Sequence, residues 1–185
     1  MKPTVRFIAL LLILGSTLAA TDVRLPAGPV IVLTHPTLNQ VKNIVEMYEK
    51  DVLPLKSLVL LGIYHEDELA DENEAEAYRD AFAFVAENEL SWVRFRKITG
   101  RVENKDLFGE NAWTPQFKEI FTAASGIIFT GGEDIPPALY GQETSLMSEP
   151  WTPARSRYEV SLLFHLLGGA RNPDLIPFLA GRKDF

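Results

Sequence analysis

The chain has no cysteine among its 185 residues. That excludes disulfides, thiolate metal ligands, a thiol nucleophile and a lipid anchor attached through a thiol. Histidine is scarce: His35, His65 and His165 are the only three, and no two share the spacing of a zinc-binding helix. There is no Gly-x-Ser-x-Gly elbow to supply a serine nucleophile. The glycines also lack the Gly-x-Gly-x-x-Gly or Gly-Lys-Thr/Ser context of a phosphate cradle. Long apolar runs are missing as well. The longest, residues 7–14, is well short of the ~20 residues that span a bilayer. Basic residues are outnumbered, 18 Lys and Arg against 25 Asp and Glu, for a formal charge of −7. An acidic surface argues against nucleic acid and anionic membranes as partners. We find no internal repeat and no low-complexity tract.

What is present begins with a three-part leader. Lys2 and Arg6 precede the apolar run, and Gly15-Ser16-Thr17-Leu18-Ala19-Ala20 follows it. This is the pattern of a secretory signal peptide, residues 1–20, with cleavage after Ala19 or Ala20. An uncleaved membrane anchor is the other reading. Export to the periplasm or the exterior is the expectation, with no stable membrane span once the leader is removed. Residues 21–29 form a Pro/Gly linker.

From residue 30 the chain alternates strand-like and helix-like segments. Val30-Ile31-Val32-Leu33-Thr34 and Leu58-Val59-Leu60-Leu61-Gly62-Ile63 read as strands buried on both faces. Between them Val41, Ile44, Val45, Tyr48 and Val52 recur at helical spacing. Residues 66–89 read as an acidic helical region with an apolar stripe of Leu69, Tyr78, Phe82 and Val85. Its charges, including His65-Glu66-Asp67-Glu68, are read as solvated. Residues 92–98 make a third strand and 126–130 a fourth. Thr114-Pro115 and Thr152-Pro153 each read as a capping hydroxyl before a first-turn proline. The second of these helices ends at Gly168-Gly169, and a helical turn is expected over 172–181. This rhythm predicts an α/β fold, a mostly parallel sheet with helices on both faces. It also predicts a fifth strand after Gly181, where only Arg182-Lys183-Asp184-Phe185 remains, so the domain over 30–185 is expected to be partial.

The most informative stretch runs from Gly126-Ile127-Ile128-Phe129 through Thr130-Gly131-Gly132-Glu133-Asp134 to Ile135-Pro136-Pro137-Ala138-Leu139-Tyr140-Gly141. A buried strand ends in paired glycines, which let the backbone turn and present its N–H groups. In open α/β sheets ligands bind at that end of the strands. A plain strand-to-loop turn is the alternative for a Thr-Gly-Gly triplet alone.

This stretch resembles the corresponding loop of class I glutamine amidotransferase-like proteins, in particular the gamma-glutamyl-gamma-aminobutyrate hydrolase family. Arg155-Ser156-Arg157-Tyr158-Glu159 with its leucine-rich helix resembles that family's Arg-Asp-x-x-Glu helix, with Ser156 in place of the aspartate. The resemblance covers roughly 30–185 and is strongest from Trp113 onward. It implies a flavodoxin-like three-layer fold and thiol-mediated hydrolysis of a small gamma-glutamyl compound, without metal or other cofactor. It makes Gly131 and Gly132 candidates for a backbone oxyanion hole. Asp134, Tyr140, Arg157, Glu159 and His35 become candidates for the substrate pocket, though an exposed helix face accounts equally for Arg157 and Glu159. The family's cysteine, and the His and Glu that complete its triad, have no counterpart here. The expectation is therefore a chain inactive by itself: a gene fragment, an exported ligand-binding pseudoenzyme, or one half of an enzyme completed by self-association or a complementing chain.

Overall fold

The computed structural model describes residues 28–53, 57–131, 134–143 and 153–182. The leader, Gly132 and Thr152 lie outside them. Four strands alternate with four helices: β1 (Val30–Thr34), α1 (Leu38–Glu49), β2 (Val59–His65), α2 (Glu72–Glu87), β3 (Val93–Ile98), α3 (Thr114–Ala123), β4 (Ala124–Ile128) and α4 (Pro153–Leu167). All strand pairings are parallel, in the order β3-β2-β1-β4. The expected α/β architecture is the one that forms.

Alternation along the strands builds the three layers, because successive side chains leave opposite faces of a sheet. Val30, Val32, Val59, Leu61 and Ile63 point into a core with Phe117, Ile120 and Phe121 of α3 and Tyr158, Leu162 and Leu166 of α4. Leu33, Leu60 and Val93 point the other way, onto Val41, Ile44 and Val45 of α1 and Ala81 of α2. Gly62 interrupts the second set for a steric reason. A Cβ there would sit 2.7 Å from Cβ of Pro36, so glycine lets the turn after β1 pack onto β2.

Strand order fixes where a site can form. From β1 the chain steps outward to β2 and β3, then returns to pair β4 on the other side of β1. The order reverses between β1 and β4, and the carboxyl ends of two strands that diverge in this way frame a crevice. Those ends are Thr34-His35 and Phe129-Thr130-Gly131.

Several local expectations shift. Strand β4 starts at Ala124, which pairs with Val30, and ends at Ile128, two residues earlier than the apolar run suggests. Thr114 is the first helical residue, and Trp113 occupies the cap position without a side-chain capping hydrogen bond among the described residues. Leu69 is exposed and not part of an inward stripe. Residues 170–181 run as turns, not as a helix. Their backbone donors go elsewhere: Phe178 N–H to the His165 carbonyl at 2.8 Å and Leu179 N–H to that of Leu166 at 3.2 Å. The tail thereby satisfies carbonyls that the end of α4 leaves without helical partners.

Candidate functional site

The loop leaving β4 is held at Thr130 from two directions. Its N–H donates to the Thr34 hydroxyl at 3.4 Å, and its own hydroxyl donates to the Thr34 carbonyl at 3.3 Å. From α4, Nη2 of Arg155 donates to the Thr130 carbonyl at 2.7 Å and to its Oγ1 at 3.1 Å. Arg155 is buried, and its Nε lies 3.3 Å from Oε2 of Glu159 one helical turn on. A charged donor on a buried carbonyl is worth more than a neutral one. The clamp therefore fixes the last residue before the glycines on the ends of β1 and β4 together.

Gly131 follows, exposed, and a Cβ built on it would meet no atom of the described residues within 4 Å. Among the described residues nothing fills the space on that side of its backbone. Asp134 is exposed on the same loop, and Tyr140 is half exposed at the end of the turn Pro137–Tyr140. Gly141 closes that turn with φ of 79°, a left-handed conformation that glycine adopts without strain.

The other candidates separate into two places. Arg157 points away from the loop and donates to the Val102 carbonyl. It lines a cavity of about 410 Å³ beyond β2 and β3, with His65, Asp67, Arg101, Glu103 and Trp113. His35 leaves β1 with φ of 49°, and its Nε2 donates to Oε2 of Glu74 at 2.7 Å. Thus Arg155 ties Thr130 at the end of β4, and through it Thr34 of β1, to Glu159, while Arg157 belongs to a separate cavity.

Sequence reasoning missed a buried polar network beside the crevice. Glu68 is 1% exposed. It accepts from the His65 N–H at 2.6 Å and from the Tyr78 hydroxyl at 2.5 Å. Burial pushes its carboxyl up to about 7, against the lowering effect of those two hydrogen bonds. The Tyr78 and Tyr158 hydroxyls are held well above the usual tyrosine range, by burial first and by Glu68 second. So His65-Glu66-Asp67-Glu68 is not the solvated loop that its composition suggests. One signal was available: His65 and Glu68 have the spacing of a capping box, and the structure forms one. Arg155 was missed too, although it stands at the arginine position of the Arg-Asp-x-x-Glu pattern.

Residues 111–171 match the family model for Peptidase C26. This is a class I glutamine amidotransferase-like family, and the matched third of the chain holds α3, β4, the Thr130-Gly131 loop and α4 with Arg155 and Glu159. The parallel three-layer arrangement is consistent with the flavodoxin-like fold of such proteins. No curated protein matches the chain, and no solved structure does.

Proposed function

We propose that this chain carries the oxyanion and substrate-recognition side of a gamma-glutamyl hydrolase-type site, and that by itself it binds a small gamma-glutamyl compound without hydrolysing it. The observation that carries this reading is the Arg155 clamp on Thr130, which presets the backbone ahead of Gly131 inside the segment that matches Peptidase C26. Preorganised backbone donors need no reorganisation when an oxyanion or a carbonyl oxygen arrives. A thiol mechanism additionally needs a cysteine, and this chain has none. With the signal-like leader, the place of action is an exported compartment.

The test pairs calorimetry with a turnover assay. Titration with gamma-glutamyl-gamma-aminobutyrate is expected to give saturable binding, weakened on the order of tenfold in Arg155→Met by loss of a charge-assisted hydrogen bond. No 4-nitroaniline is expected from gamma-glutamyl-4-nitroanilide. Turnover by the lone chain, or no binding of any gamma-glutamyl compound, contradicts the reading.

One observation favours a second reading, a site completed by another polypeptide. Strand β4 has a single neighbour, β1, among the described residues. An unpaired strand edge is a template for a further strand, and one added here would end beside Gly131. Turnover that appears only on mixing with a thiol-bearing second chain is its signature.

A further inference from the structure

We propose that His35, Glu68 and Glu74 bind a divalent transition-metal ion of the Zn²⁺ type at the carboxyl edge of the sheet. Three different elements converge there: the end of β1, the turn Glu66–Ala70 and the first turn of α2. One ligand atom from each residue lies within 4.8 Å of the other two. Zinc takes imidazole nitrogen at ≈ 2.0–2.1 Å and carboxylate oxygen at ≈ 2.0–2.2 Å, so side-chain adjustments of about an ångström bring the three onto one ion. Two carboxylates and a neutral imidazole match a dication in charge, and an N/O donor set suits Zn²⁺ better than Mg²⁺, which prefers oxygen and water. Nε2 of His35 lies 2.7 Å from Oε2 of Glu74 and donates to it. Binding moves the imidazole proton to Nδ1 and turns the Nε2 lone pair to the ion.

A second observation points to the same spot from the opposite side. Tyr158 is fully buried, and its hydroxyl has no hydrogen-bond partner among the described residues. Helix α4 packs against the turn that carries Glu68, and the Tyr158 ring lies 6.2 Å from the ring of His65, whose N–H donates to Glu68. Leaving a buried hydroxyl unpaired is costly. Zinc held by three protein ligands keeps a fourth position for water, which would offer the unpaired Tyr158 hydroxyl a donor. Local sequence spacing gives no hint of this set, because Glu68 and Glu74 lie more than thirty positions from His35.

The test uses the full chain stripped with EDTA and titrated with ZnCl₂ by calorimetry, with MgCl₂ as control. One Zn²⁺ per chain and no Mg²⁺ binding are expected, and CoCl₂ should give the visible absorption bands of a low-symmetry four-coordinate ion. The side chains of His35 and Glu74 are each 12% exposed, so His35→Gln and Glu74→Gln are suited to retain a cooperative melt while losing the binding. Tyr158→Phe should keep the stoichiometry and weaken affinity about tenfold, as loss of an outer-shell partner does. If Glu68→Gln fails to fold, the two rim variants decide. Absence of 1:1 binding overturns the proposal, and so does 1:1 binding that both rim variants leave unchanged. The gamma-glutamyl reading is tested separately, by its own ligand and by Arg155→Met.

Discussion

His165 sits buried between α3 and α4 with both ring nitrogens engaged. Nδ1 is 2.7 Å from the Ser161 carbonyl, and Nε2 is 2.7 Å from the Thr114 hydroxyl. A carbonyl can only accept, so Nδ1 carries the proton and Nε2 accepts from Thr114. Oγ1 of Thr114 in turn accepts the Asn111 N–H at 2.8 Å. Burial holds the imidazole pKa below its ordinary value of 6.5. The unfolded chain then binds more protons between the folded value and 6.5, so this contribution to stability rises with pH through that window and is lost as pH falls. Glu68, raised by burial, slopes the other way, so the difference between proteins is the readout. We predict that His165→Leu costs about 1–3 kcal/mol at neutral pH by stranding its partners, and less at acid pH. Urea unfolding at two pH values checks it, and a cost that grows on acidification contradicts it.

The same scale explains why Arg155 escaped notice. The buried face of α4 includes Arg155, Ser156, Ser161 and His165 beside Tyr158 and Leu162. Apolar periodicity marks only part of such a face, and Arg155 looks no different in sequence from Arg157, which faces another cavity.

Among the elements, the strands were the most legible. Strand β1 coincides with its apolar run, and β2 and β3 lie within one or two residues of theirs, because a strand covered on both faces needs continuous apolar sequence. The link from β2 to α2 was the least legible. Charge there reads as solvent exposure, yet Glu68 turns inward to Tyr78, whose place on α2 is a matter of tertiary packing. Helix α2 starts where Asp71 accepts from the N–H groups of Asn73 at 2.9 Å and Glu74 at 3.1 Å. Replacing an N-cap aspartate by alanine costs about 1 kcal/mol. Asp71→Ala should lower stability by that amount, and because the cap also orients Glu74, it should weaken Zn²⁺ binding as well. An unchanged denaturation midpoint and an unchanged zinc affinity would remove both roles.

For the molecule as a whole, alternation of strand and helix was enough to foresee a parallel sheet covered on both faces. It could not give the strand order, and the order creates the crevice: β4 lies beside β1, not beyond β3. That placement brings Thr34 and Thr130 into contact across 96 residues of sequence, with Arg155 locking them from the opposite layer. The glycine motif was visible in sequence, whereas its support was not, since each supporting contact is long-range. The central claim is that this supported loop receives a gamma-glutamyl compound. The most direct measurement follows the backbone amide of Gly131 by ¹⁵N NMR during titration with gamma-glutamyl-gamma-aminobutyrate. The account predicts a saturable shift at Gly131 in the wild type that is lost or displaced to higher ligand concentration in Arg155→Met. A Gly131 amide that stays unmoved while the compound binds elsewhere would contradict it.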